Sequence, residues 1–336
     1  MNKPQFAVIG GGVIGAGWAA RMALSGHTVR VYDPSAATNA IVDGTIERAR
    51  QAWVDLELPL ASSPNLSIVG SVAEAVTDAD FVQESVPENP DLKASVHAEI
   101  ESAVASDTII ASSTSGIRPS TMQASLSHPE RLVVGHPFNP VYLLPLVEVV
   151  GGEHTPPIVI ERAMAVYRDI GMHPLHVRVE IDAFIADRLL EAVWREALWL
   201  IKDGVATTAE IDDAIIYGFG LRWAQMGLFD TYRVAGGPGG FRHFLAQFGP
   251  TLSWPWTKLM DVPEFTDELV DTIVLQSDEQ SGHLELNEME QTRDENLVAI
   301  LRVLEKNRWG AGNALAAHRA NLEAGELSSG PAPISE

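Results

Sequence analysis

Cysteine is absent from the 336 residues, which removes disulfides, thiolate nucleophiles and thiolate metal ligands at once. Lysine is scarce: five occur, none in a basic cluster, and basic residues are outnumbered 45 to 23 by acidic ones. The resulting formal charge of −22 repels polyanions, so nucleic acid and anionic membrane surfaces are excluded as main partners, while a small cation is attracted. No apolar run reaches the roughly 18 residues of a membrane span. Met1 leads directly into a strand-like stretch with no charged leader or cleavage site, so a soluble, cytoplasmic protein is expected. No H-E-x-x-H pattern occurs, and His173, His176, His243 and His283 lack a third ligand, so no metal site is expected. Disorder is excluded as well, because 46% hydrophobic and 20% charged residues are ordinary globular usage.

What is present begins with short apolar runs at Phe6–Ile9, Val29–Tyr32, Leu66–Val69, Phe81–Val86, Thr108–Ala111, Leu132–Val134 and Val147–Val150, alternating with helical patterns. Such alternation predicts βαβ units and a doubly wound parallel sheet covered on both faces, a Rossmann-like α/β domain over residues 1–180. Residues 156–170 have helical period, and His173–Val177 offers a last strand. From Ile181 to Ile201 the apolar positions Ile185, Leu189, Val193, Ala197 and Leu200 recur at three and four, the stripe of a long helix. Further helices are expected at 208–217, 240–248, 264–277 and 284–306. An all-α domain over 181–324 follows, with 325–336 expected as a disordered tail.

Gly10-Gly11-Gly12-Val13-Ile14-Gly15 fits G-x-G-x-x-G directly after a strand and before a helical stretch. The first glycine permits the tight turn, the second lets backbone N–H groups approach a pyrophosphate, and the third allows close helix–strand packing. The next strand ends in Asp33, 18 residues after Gly15, where a carboxylate accepts from ribose hydroxyls and repels a 2′-phosphate. Gly10, Gly12, Val13, Ile14, Gly15 and Asp33 are therefore expected to hold NAD rather than NADP.

His136 stands at the carboxyl end of a buried strand, where open α/β sheets place ligands. Oxidation of an alcohol by NAD needs a base for the hydroxyl proton, and histidine titrates nearest neutrality. Glu148 is a lone carboxylate inside Leu146-Val-Glu-Val-Val150, costly unless partnered, and pairing with His136 would satisfy it and fix the imidazole tautomer. Ser112-Ser113-Thr114-Ser115 follows another strand at the same edge; a hydroxyl there can donate to a substrate oxygen, and serine runs after strands also simply turn the chain.

Together the Gly10–Gly15 loop with Asp33, the Glu88-Asn89 pair, Ser113-Thr114-Ser115, the stretch from His136 to Pro140 with Glu148, and the stretch from Phe184 to Leu189 resemble the 3-hydroxyacyl-CoA dehydrogenase superfamily over about residues 4–320. That resemblance implies an active site of Ser115, His136 and Glu148, a cofactor role for Glu88, and a helical C-terminal domain that closes the cleft and forms a homodimer. Acyl-CoA members usually carry Asn where this chain has Asp187, which points to a changed substrate. Longer strings, at 135–148, 185–188, 220–227 and 254–260, are similar to the branch of the family that oxidises L-carnitine, a small cationic hydroxy acid.

A quaternary ammonium has no N–H to donate, so its recognition falls to aromatic faces and negative charge. Residues 217–256 hold ten of the 23 aromatics, and Trp223, Phe229 and Tyr232 are the expected cage, with packing into a core or dimer interface as the other reading. Asp187 either attracts the ammonium or stabilises a helix N-terminus, and it shares a helical face with Glu191 and Arg195. Arg222 is expected on the substrate carboxylate, with a structural salt bridge as the alternative. Gulonate or a short 3-hydroxyacyl-CoA are the competing substrates, and an NAD-binding structural protein is the non-enzymatic reading.

Overall fold

The computed structural model describes residues 4–60, 64–250, 257–258, 264, 266–281, 283 and 285–328. Eight strands, β1 (Gln5–Ile9), β2 (Thr28–Tyr32), β3 (Asn65–Ile68), β4 (Phe81–Glu84), β5 (Ile109–Ser112), β6 (Leu132–Pro137), β7 (Leu146–Gly151) and β8 (His173–Val177), form one sheet in the order β3-β2-β1-β4-β5-β6-β7-β8. Helices α1 (Val13–Leu24), α2 (Thr38–Asp55), α3 (Val72–Val76), α4 (Pro90–Ala103), α5 (Pro119–Gln123) and α6 (Pro157–Asp169) connect them. The order reverses between β1 and β4, and this switch point is where doubly wound sheets open a ligand crevice.

Alternation of side chains along each strand feeds two cores. On β1, Phe6 and Val8 join Trp18, Met22 and Tyr167 on one face, while Ala7 and Ile9 join Val76, Ile100 and Phe184 on the other. The sheet departs from the expected all-parallel pattern at one place: β6 and β7 are antiparallel. Their connection, 138–145, is shorter than the roughly 10–12 residues that a parallel crossover needs. β6 also runs further than the apolar stretch Leu132–Val134, so His136 lies within the strand.

The chain divides into two compact units, residues up to Ile185 with those from Arg293 onward, and Ala186–Thr292. This differs from the expected helical domain over 181–324, because the end of α12 (Leu286–Lys306) and α13 (Ala311–Ser328) belong with the sheet. Val298, Leu301 and Leu315 pack with Leu24 and Trp53 in a third core. Arg302 and Arg319 cap α2 from the same side, donating to the Asp55 carbonyl at 2.9 Å and the Leu56 carbonyl at 2.7 Å, carbonyls that a helix end leaves without partners. α13 also corrects the expected tail: 325–328 continue the helix, and 329–336 lie outside the described residues.

The second unit contains α7 (Ala186–Lys202), α8 (Thr208–Ala214), α9 (Gly220–Ala235), α10 (Gly240–Phe248) and α11 (Asp267–Ser281). The long helix starts at Ala186 rather than 181, because Ala183 and Phe184 adopt φ of 59° and 50°, which no helix accommodates. α8 begins with a full capping box, Thr207 and Glu210 each satisfying the other's backbone N–H.

Candidate active site

The glycine loop is built for close approach. Gly10 has φ of +103°, and a Cβ there would stand 2.6 Å from the Ser85 carbonyl; a Cβ on Gly15 would lie 1.7 Å from the Gly10 carbonyl oxygen. A Cβ on Gly12 would meet nothing within 4 Å, so the space above the loop is open, and Gly12 precedes α1 as its N-cap with no side chain to cap the first N–H groups. Val13 is exposed and Ile14 half-buried in that first turn. Asp33 closes the far side, accepting from Gly11 N–H at 2.7 Å and Ser35 N–H at 2.8 Å. Open space, uncapped N–H groups at a helix start and a fixed carboxylate fit the pyrophosphate and ribose of a dinucleotide.

His136 and Glu148 are direct cross-strand partners on β6 and β7, and Nδ1 of His136 lies 3.0 Å from Oε2 of Glu148. Both are buried, and the other carboxylate oxygen of Glu148 accepts from Ile185 N–H at 2.9 Å. Phe184 and Phe138 place their rings 5.7 Å and 5.1 Å from the imidazole. The left-handed turn at Ala183 and Phe184 thus delivers both an aromatic wall for His136 and an N–H for Glu148.

Ser115 is exposed in the loop after β5 and emerges at the same sheet edge as His136, since Ser112 pairs with Val134 across β5 and β6. The loop is tied down by Glu88, which accepts a short hydrogen bond from the Thr114 hydroxyl and one from Gly116 N–H at 3.3 Å. Glu88 also stands 3.5 Å from the buried Lys93 ammonium.

Beneath this loop lies a cluster that the sequence reading missed. Glu84, fully buried, accepts from Lys93 at 2.9 Å, from Ser112 at 2.6 Å and from Val86 N–H at 2.7 Å, and faces His97 at 3.0 Å. Burial alone would raise the Glu84 carboxyl, but the His97 hydrogen bond, the Lys93 charge and the Ser112 hydroxyl outweigh it and hold the group at about 2. The available signal was a charged residue inside the run Phe81–Val86, the same anomaly that marked Glu148.

The five expected substrate residues all lie in the second unit. Asp187 sits half-buried in the first turn of α7, and one turn apart Arg195 donates to Glu191 at 2.8 Å. Arg222 is exposed on α9. Among the described ring contacts none joins the three aromatics to one another: Trp223 packs on Phe219 at 4.5 Å, Tyr232 stacks on Phe244 at 4.4 Å, and Phe229 is 69% exposed. The side chain of Phe241 and residues Trp254 and Trp256 lie outside the described residues.

Residues 5–181 match the family model of the 3-hydroxyacyl-CoA dehydrogenase NAD binding domain, and residues 184–277 match that of its C-terminal domain. The chain belongs to the 3-hydroxyacyl-CoA dehydrogenase family. This family member is an NAD-dependent dehydrogenase. It is 58% identical over 313 residues to an L-carnitine dehydrogenase of Mesorhizobium japonicum, covering 91% of this chain and 86% of the relative. It is 52% identical over 315 residues to an L-carnitine dehydrogenase of Pseudomonas aeruginosa, covering 93% and 97%. A relative from Agrobacterium fabrum, an L-carnitine dehydrogenase/betainyl-CoA thioesterase, is 57% identical over 93% of this dehydrogenase, which spans 64% of that protein's length. Among solved structures, the NAD+-dependent dismutase 5-formyl-3-hydroxy-2-methylpyridine 4-carboxylic acid 5-dehydrogenase superposes with a TM-score of 0.75 at 29% identity, covering 91% of this chain and 99% of that one.

Proposed function

We propose that this dehydrogenase oxidises the 3-hydroxyl of L-carnitine to 3-dehydrocarnitine, with His136 as the base and Glu148 as its positioning partner. The observation that carries the substrate is the identity of 58% and 52% to L-carnitine dehydrogenases that the chain covers over 86% and 97% of their length. The pairing of His136 with Glu148 at 3.0 Å supports the chemistry.

NAD, when bound, supplies the hydride acceptor. Ser115 donates a hydrogen bond to the substrate oxygen, and His136 takes the hydroxyl proton as the carbinol C–H bond breaks and the C=O bond forms. With Nδ1 engaged by Glu148, the proton arrives at Nε2, and the buried carboxylate stabilises the imidazolium. Ile185 N–H keeps that carboxylate from turning away from the ring. Glu88 holds the Thr114–Gly116 turn and so the placement of Ser115, besides its role toward the cofactor.

For the substrate ends, Asp187 offers negative charge to the ammonium, and Trp223, Phe229 and Tyr232 offer ring faces, each worth about 0.5–2 kcal/mol. Arg222 takes the carboxylate. The homodimer is supported by α7, which exposes Leu189, Leu190 and Trp194 at 59%, 56% and 62%. Initial rates of NADH formation with L-carnitine, D-carnitine, gulonate and 3-hydroxybutyryl-CoA test the reading. Turnover confined to L-carnitine is expected; turnover only of gulonate or the CoA ester refutes the substrate while leaving the chemistry of His136 standing.

A further inference from the structure

A chain of hydrogen bonds crosses the sheet beneath the switch point, and its direction can be worked out. It starts at Tyr167, buried against the sheet, whose hydroxyl donates to Oε1 of Gln83 at 2.7 Å. Burial pushes this phenol above its ordinary range, so it keeps its proton. The orientation of the Gln83 amide is fixed independently, because its nitrogen faces the Gly135 carbonyl at 3.4 Å, and a carbonyl can only accept. The same nitrogen donates to the Ser113 hydroxyl at 2.8 Å.

Ser113 receives a second donor. The Trp18 indole N–H, which can only donate, reaches its oxygen at 3.2 Å. Two incoming N–H groups occupy both lone pairs of that hydroxyl, so its own proton must leave along the third contact, the 2.8 Å separation from the Ser85 hydroxyl. Ser85 therefore accepts from Ser113, and its proton points elsewhere. Among the described residues that proton meets no acceptor.

Ser85 directly follows β4, on the opposite side of the switch point from β2 and Asp33. Its backbone lies against Gly10, at 2.6 Å from where a Cβ would stand, and its N–H donates to Ile9 at 2.7 Å. It is half-buried at the mouth of the cofactor crevice. We propose that the Ser85 hydroxyl is a donor to bound NAD, held in that sense by the Tyr167–Gln83–Ser113 chain, and that its acceptor belongs to the half of the dinucleotide beyond the pyrophosphate from Asp33. The inference depends on NAD and is independent of the substrate.

The test is binding, measured by titration calorimetry on the whole protein without substrate, with NAD and with AMP as probes. Ser85→Ala should weaken NAD roughly 3- to 10-fold, the worth of one hydrogen bond, and leave AMP unchanged because AMP carries only the half that Asp33 holds. NAD affinity within about twofold of wild type overturns the proposal, as does an equal loss for NAD and AMP. Should Ser85→Ala not fold, Ser85→Cys, which keeps the volume and replaces the hydroxyl by a weak S–H donor, decides by the same ratio of AMP to NAD affinity: a selective loss for NAD supports the hydroxyl donor, and a wild-type ratio overturns it.

Discussion

Changing Glu148 to Gln alters one atom and should remove most of the activity. The native carboxylate serves both Nδ1 of His136 at 3.0 Å and Ile185 N–H at 2.9 Å, and Glu148 and His136 are both buried. An amide has one acceptor oxygen. Ile185 N–H is a fixed backbone donor, so the oxygen of the Glu148→Gln amide turns to it and the NH2 faces His136. Nδ1 must then accept, which places the ring proton on Nε2, the atom that receives the substrate's proton in the proposed mechanism. A carboxylate-to-amide change of this kind in a hydrolase triad costs about 10⁴ in kcat through the wrong tautomer. For this protein kcat/KM is expected to fall roughly 10³- to 10⁴-fold, or about 4–5.5 kcal/mol of transition-state stabilisation. NADH formation from the preferred substrate gives the rate, NAD calorimetry shows that the cofactor site is intact, and a thermal melt shows that the fold is. A folded, NAD-binding variant within roughly tenfold of wild-type kcat/KM would refute the tautomer argument.

Other consequences follow from the packing. Burial, together with the nearby Arg21 charge, pushes the His318 imidazole from 6.5 down to about 3, and neither ring nitrogen has a hydrogen-bond partner among the described residues. Its depressed folded value means that stability is fully present above about pH 6.5 and drains away toward pH 3. Near pH 5 this amounts to about 2 kcal/mol, to be read as the difference in urea midpoints between wild type and His318→Phe; parallel pH curves would contradict it. Gly171→Ala combines a φ of +76° with a Cβ 2.2 Å from Cγ of His318, so it should lose roughly 3 kcal/mol or more in the same urea titration. Gly15→Ala drives a methyl onto the Gly10 carbonyl oxygen at 1.7 Å, and calorimetry should find NAD affinity lost by at least about tenfold.

How much of this was readable beforehand depended on whether a residue announced its own cost. Glu148 did, because a carboxylate flanked by valines is unaffordable alone. Glu84 carries the same anomaly inside the run Phe81–Val86, yet with Gln83 and Ser85 beside it the polar stretch passes for the exposed end of a strand. The partners of Glu84, Lys93 and His97, sit on α4, where a basic residue every four positions looks like an ordinary solvated face. The glycine loop and Asp33 were legible because their spacing is set by backbone contact distances rather than by side-chain choice. The left-handed pair Ala183 and Phe184 was not, since neither residue type favours that region and only the surrounding packing imposes it. The helix α9 also escaped notice: its glycines at 220 and 227 weaken the local helical pattern, and tertiary context overrides it.

The antiparallel joint between β6 and β7 ties the contact between His136 and Glu148 to strand register. His136 faces Glu148 only because the ladder pairs these two positions, and a slip of one residue would turn the imidazole and the carboxylate to opposite sides of the sheet. An insertion or deletion in the 138–145 connection that shifts the ladder would therefore separate the two side chains without altering either of them. The meeting of imidazole and carboxylate is thus written as a count of residues between two strands, a quantity that substitutions on distant helix surfaces leave untouched.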